Sequence, residues 1–221
     1  MSAAMVLLRR ELGLAWGRGG GPLPALAFYA AITLLLPLAA GSDTDRLAPV
    51  AVGVAWMVLA LACLLSLDRL FERDYEDGGL DLLMTGPLPL ELVCAIKCLA
   101  QWLAGGAPLA LAAPVAAVLL GADIALAPLI LACALVGALA FAFIGGIGAA
   151  LALGARRGGL LVAAIVLPLF CPPVIFGGAA LYAAALGSGG VSGLMLLSGW
   201  TLAAVALSPL AMAAACRNAL S

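Results

Sequence analysis

The chain of 221 residues contains no histidine. That absence excludes Ser-His nucleophilic catalysis, zinc sites of the H-E-x-x-H type and histidine-ligated haem. Lysine occurs once, as Lys97, and Ile96 precedes it, so there is no G-x-x-x-x-G-K phosphate loop. The chain is therefore not a P-loop ATPase by itself. Charge is scarce too: Asp, Glu, Lys and Arg make up 10% of residues, against about 25% in a soluble domain. A formal net charge of -1 and the lack of a basic tract leave no electrostatic footprint for nucleic acid. The six cysteines are Cys63, Cys94, Cys98, Cys133, Cys171 and Cys216, with no C-x-x-C pair among them. They fall in or beside apolar runs and read as small buried hydrophobes rather than metal ligands. Cys94 and Cys98 share a helix face with Trp102 through i, i+4 spacing, which is a packing pattern.

What fills the chain is apolar. Hydrophobic residues make up 66% and the mean hydropathy is +1.25. A water-soluble fold of this length could not bury so much apolar surface. The lipid bilayer must be the solvent for most side chains. A spanning helix takes about 20 apolar residues, and runs of suitable length cover 23–40, 47–67, 95–120, 124–154, 159–186 and 193–216. The expected fold is all-α, a polytopic membrane protein of six transmembrane helices in one domain. Residues 1–22 mix Val6, Leu7, Leu8 and Trp16 with Arg9, Arg10 and Glu11, as an amphipathic helix lying in the interface does. Gly17 and Gly19 to Pro22 break it. A cleaved signal peptide is the rival reading of the first run, but that run exceeds the usual apolar core of about 7–15 residues.

The basic residues set the orientation. With six spans and the N-terminus inside, the cytoplasmic segments hold Arg9, Arg10, Arg18, Arg69, Arg73, Lys97, Arg156, Arg157 and Arg217, and the outer loops hold only Arg46. This asymmetry follows the positive-inside rule and places both termini in the cytoplasm. An odd number of spans would destroy it. The spans carry almost no embedded charge, so no proton relay or ion-coupling site is visible. Lys97 is expected near an inner helix end, where it snorkels to water. Energy for any transport must come from a partner.

The longest polar stretch, 68–91, holds the chemistry that remains. Leu67, Leu70, Phe71 and Tyr75 keep helical spacing, Gly78-Gly79 turns the chain, and Leu80, Leu82, Leu83 and Met84 form a short apolar face that Pro87 and Pro89 end. Two short helices with a glycine elbow are predicted. A solvated amphipathic loop is the plainer alternative.

The stretch Glu76-Asp77-Gly78-Gly79-Leu80-Asp81-Leu82-Leu83, followed by Pro87, resembles the segment after the second span of ABC-2-type permeases. Leu67-Asp68-Arg69-Leu70-Phe71, Pro87-Leu88-Pro89-Leu90, Arg157-Gly158-Gly159, Leu167-Pro168-Leu169 and the early Arg9-Arg10-Glu11-Leu12 are similar to the CcmB family of cytochrome c maturation. The resemblance covers nearly the whole chain. It implies a non-catalytic subunit in a bacterial inner membrane, paired with a CcmA-like ABC ATPase that binds the ATP. It further implies CcmC-like and CcmD-like membrane partners, a CcmE-like haem chaperone, a second copy of the chain and haem as cargo. On this resemblance the 68–91 segment docks on the ATPase. Glu72, Asp74, Glu76, Asp77 and Asp81 meet basic residues there, Gly78 and Gly79 form the hinge, and Leu80, Leu83 and Met84 are the buried anchors. Arg156 and Arg157 in the next cytoplasmic loop touch the same partner or act as topology determinants. A permease for another lipophilic cargo and a non-transporting scaffold are the alternatives.

The fifth run carries Pro168, Pro172 and Pro173, followed by Gly177 and Gly178. Proline removes a backbone donor and clashes with the preceding turn. The helix is expected to kink or end at Pro172, with re-entrant pieces over 174–190, and Pro168, Pro172, Pro173 and Gly177 form a gate or partner surface. A packing kink is the alternative. Gly145, Gly146 and Gly148 in the fourth run suit close helix contact, internal or between copies. Gly187 to Gly190 reads as an outer turn.

Overall fold

The computed structural model describes residues 2–17, 22–39, 47–67, 70–153 and 158–219, and all its regular elements are helical. They are α1 (Ala3–Trp16), α2 (Leu23–Ala39), α3 (Ala51–Leu65), α4 (Glu72–Glu76), α5 (Gly79–Met84), α6 (Leu90–Leu119), α7 (Ala127–Leu151), α8 (Gly158–Ala185) and α9 (Val191–Ala219). Helix α6 contains one widened π turn at Trp102–Gly106. A 3₁₀ turn, Ile124–Leu126, leads into α7 after Asp123 Oδ1 accepts from the Ala125 amide at 2.9 Å.

Among the described residues, four stretches are long and apolar enough to cross a membrane: Leu90–Leu119, Ile124–Leu151, Leu160–Ala185 and Val191–Ala219, of 30, 28, 26 and 29 residues. At about 1.5 Å per residue each exceeds a hydrocarbon core of about 30 Å. Helices α2 and α3 are equally apolar but shorter, with 17 and 15 residues. Helix α6 begins at Leu90, five residues before the apolar run, because Pro89 in extended conformation caps it and the amides of Leu92 and Val93 donate to the Pro89 carbonyl.

Helix α7 is the central post. It packs on α9, α8, α3 and the second half of α6. Its glycines make the close approaches: the space beside Gly137 is filled by Trp56, beside Gly145 by Leu67, beside Gly146 by Met212 and Cys98, and beside Gly148 by Val166. These contacts are internal, which resolves the alternative left open by the sequence.

The expected break at Pro172 does not occur. Helix α8 continues to Ala185, so there are no re-entrant pieces over 174–185. The missing proline donors all fall within about one and a half turns, and neighbours hold the helix axis across the gap. Phe170 stacks on Phe141 at 4.6 Å, Phe141 meets Trp56 at 5.8 Å, and Trp56 Nε1 donates to the Val174 carbonyl at 3.0 Å. The turn between α8 and α9 has Gly187 and Gly189 at positive φ, 73° and 75°.

Two buried clusters divide the interior. The larger joins α2, α3, α7, α8 and the second half of α6, with Tyr29, Trp56, Leu109 and Phe141. The smaller gathers Leu7, Phe71, Leu80, Leu90, Val93, Cys94, Cys98, Met212 and Cys216 at the end where α1 and the α4–α5 elbow lie.

Candidate functional site

The elbow forms as the glycine pair dictates. Gly78 has φ 70°, a left-handed conformation that side chains resist. It ends α4 and allows α5 to start in a new direction. Gly79 serves a different need: a Cβ there would lie 3.0 Å from Oδ1 of Asp74. The Thr85 hydroxyl then donates to the Asp81 carbonyl at 3.1 Å and closes α5 before Pro87.

The structure splits the candidate coupling residues into two faces. Glu72, Glu76, Asp77 and Asp81 are exposed, as are Leu82 (74%) and Met84. Arg73 and Asp77 approach within 3.9 Å on the exposed side. Leu83 is half-buried. Asp74 and Leu80 point inward, 4% and 1% exposed, and belong to the chain's own interior. Leu80 packs among Leu7, Phe71 and Val93 in the smaller core, so Leu82 and Met84 are the apolar groups of the elbow that a partner can reach. A shallow cavity of about 330 Å³ opens beside Met84, lined also by Pro87, Pro89, Glu91 and Arg217. Glu91 and Arg217 pair across it at 2.7 Å and tie the start of α6 to the end of α9. Arg156 and Arg157 lie outside the described residues.

Asp74 belongs to a charge network, buried at Asp74 and Lys97, that the sequence reading missed. Lys97, 2% exposed, does not snorkel. Its ammonium pairs with Asp74, pairs with Glu11 at 2.9 Å, and donates to the Leu70 carbonyl at 3.3 Å. It also lies 5.8 Å from the ring centroid of Phe71, a cation–π distance. Arg10 completes the set, donating to Asp74 at 2.7 Å and to Glu11 at 2.6 Å. Two cations therefore meet two carboxylates, and the net charge of the four is zero. Among the described residues no buried side-chain nitrogen or oxygen lacks a partner. Burial alone would push the Asp74 carboxyl up, but Lys97 and Arg10 outweigh it and hold Asp74 below the usual carboxylate range. The hydrogen bond to Asp74 likewise raises the Arg10 guanidinium, against the opposing effect of burial. The signal for this site was the single lysine lying inside a helix, together with the only acidic residue of α1; a buried lysine needs a charged partner.

The proline group does not form one surface. Pro168 is exposed, Pro172 half-buried and Pro173 buried. Gly177 is buried under Trp56, whose Cζ2 would lie 2.1 Å from a Cβ at that position. Gly177 is thus an internal socket for an indole. No cluster of three or more metal-ligating Cys, Asp or Glu side chains occurs among the described residues.

The apolar helices and the two-faced elbow together define a multi-pass helical membrane protein with a polar, glycine-turned segment at one end. Comparison with known proteins makes the class specific. The family model described as CcmB protein matches residues 2–219. The chain is 47% identical over 211 residues to the heme exporter protein B of Paracoccus denitrificans, covering 96% of this chain and 97% of that protein. It is 42% identical over 221 residues to the protein of the same name from Bradyrhizobium diazoefficiens, covering 100% of both. Against the Escherichia coli K12 protein of that name it is 39% identical over 212 residues, 96% of each chain. The chain belongs to the CcmB family.

Proposed function

We propose that this chain is the membrane permease subunit of an ABC-type complex for cytochrome c maturation, working in a bacterial inner membrane. It crosses six times, with both termini and the elbow in the cytoplasm, and the shorter α2 and α3 are the first two spans. ATP is bound and hydrolysed by a CcmA-like partner; this chain has no catalytic role. CcmC-like and CcmD-like proteins share the membrane assembly, and the work done is release of a haem-loaded CcmE-like chaperone or movement of haem itself. Haem is cargo in this reading, and no residue of the chain is assigned to its iron.

The observation that carries the proposal is the division of the elbow. Its inner face, Asp74 and Leu80, is fixed to the body of the chain, while its outer face presents Glu72, Glu76, Asp77 and Asp81 around exposed Leu82. A basic groove on an ATPase complements that face. The charges steer encounter and select the partner, and Leu82 and Met84 are the anchors. Closure of two ATPases around ATP then pushes the elbow, which moves as a rigid element.

The test uses Leu82→Asp, at a side chain that is largely exposed. The variant should fold and reach the membrane but lose co-purification with the ATPase, and ATP hydrolysis stimulated by the haem-loaded chaperone should disappear. Undiminished co-purification of the Leu82→Asp/Asp81→Lys double variant would remove the docking surface. Stimulation by an unrelated lipid in place of the chaperone would point instead to a different lipophilic cargo.

A further inference from the structure

We infer that α1, the elbow and the first part of α6, Leu90–Gln101, form one lever arm that hinges on the π turn Trp102–Gly106, with the Arg10–Glu11–Asp74–Lys97 network as its latch. The inference rests on the proposed docking of an ATPase at the elbow and extends it to the N-terminal helix and to the hinge.

Three independent features mark the arm. The first is the latch. Arg10 and Glu11 belong to α1, Asp74 to α4 and Lys97 to α6, so the four charges join three elements around the buried Asp74–Lys97 pair. Separating α4 or α6 would leave the set with one unmatched charge, which is costly away from water, and α1 is bound to both through Arg10–Asp74 and Glu11–Lys97. The second is the core. Leu7 of α1, Phe71 and Leu80 of the elbow and Leu90, Val93 and Cys94 of α6 share the smaller cluster, through which the arm rests on Phe143 of α7 and Met212 of α9, whereas Leu109, Ala110 and Ala113, beyond the π turn on the same helix, belong to the larger one. Helix α6 thus passes from one core to the other across the π turn itself.

The third is the chemistry of that turn. It reads Trp102-Leu103-Ala104-Gly105-Gly106, and the wider ring weakens the regular ladder where two residues without side chains stand together. The turn is pinned on the bundle side, where Trp102 Nε1 donates to the Leu135 carbonyl of α7 at 3.1 Å and Gln101 Nε2 donates to the Ser66 carbonyl at 3.0 Å. A push on the elbow would reach α1 and the start of α6 as one body and be absorbed at 102–106. Lys97 is a positioning residue in this device and touches no cargo.

Spin-label distances in the intact complex with its ATPase test the arm, with and without a non-hydrolysable ATP analogue. Cys171→Ala removes the exposed cysteine, and labels go at exposed Val6, Glu76 and Leu92 on the arm and at Val115 and Tyr182 on the bundle. The nucleotide should change the arm-to-bundle distances and leave the three distances within the arm unchanged. If no arm-to-bundle distance changes, the motor-driven reading and the lever fail together. If Glu76 moves while Val6 or Leu92 stays behind, the lever alone is overturned. Arg10→Gln/Glu11→Gln keeps the buried Lys97–Asp74 pair and so preserves the fold while releasing α1. In that variant the Val6–Glu76 distribution should broaden and become nucleotide-dependent while Glu76–Leu92 stays fixed. An unaltered Val6–Glu76 distance would rule out the charge network as the latch.

Discussion

Lys97 occupies a position that lipid-facing or water-facing lysines do not: enclosed, charged and matched to two carboxylates. Removing one partner of such a set costs more than the set contributes as a whole, because the remaining charges stay buried. Lys97→Met should therefore lower stability by about 3–5 kcal/mol, read as a large loss of thermal stability in detergent. Arg10→Gln/Glu11→Gln should cost far less, since the Lys97–Asp74 pair survives; an equal loss would contradict the charge accounting. The pH dependence has a definite sign. The Asp74 carboxyl titrates lower in the folded chain than its unfolded value of about 3.9. Its contribution to stability is fully present above that value and is lost as pH falls through the lower, folded value. Thermal stability should be flat through neutral pH and fall in strong acid, and Asp74→Asn should remove the part of that fall due to this residue. Part of this site was legible: Asp74 lies three residues after Phe71 and four after Leu70, on the apolar face of its helix. What hid Lys97 was the assumption that a basic residue near the end of an apolar run reaches out to water; the run starts earlier than hydropathy suggested, so Lys97 lies nearly two turns inside α6.

At the scale of elements, glycine and proline acted according to their neighbours. Gly78-Gly79 produced the turn that the sequence predicted, for two separate reasons. Gly78→Ala should cost about 1–2 kcal/mol through its positive φ. Gly79→Ala should act instead on the Asp74 carboxylate, so its cost should shrink in an Asp74→Ala background while that of Gly78→Ala should not. The three prolines of α8 failed to end it because Trp56 and Phe141 hold the helix from outside, through Val174 and Phe170, and that support comes from residues more than 25 positions away. No local pattern reveals it. Gly177→Ala should cost about 1–3 kcal/mol by overpacking against Trp56, and most of that should vanish in a Trp56→Leu background; additive effects in this double-mutant cycle would deny the socket.

At the scale of the whole molecule, the fold class and four of the membrane helices followed from composition and run length, because lipid imposes a strict length and an all-helical backbone. The division into two cores did not, since it depends on which faces of α6 and α7 meet which partners. The elbow motif was legible as a glycine-hinged polar segment, but its two faces were not: five acids within ten residues look alike until one of them meets Lys97. The account as a whole depends on the elbow's outer face being a cytoplasmic docking surface. The most direct test is a cysteine at Asp81 in the Cys171→Ala chain, probed with a membrane-impermeant maleimide. The account predicts no labelling in intact cells, labelling in inverted vesicles from cells lacking the ATPase, and protection when the ATPase is present. Labelling from outside intact cells would contradict it.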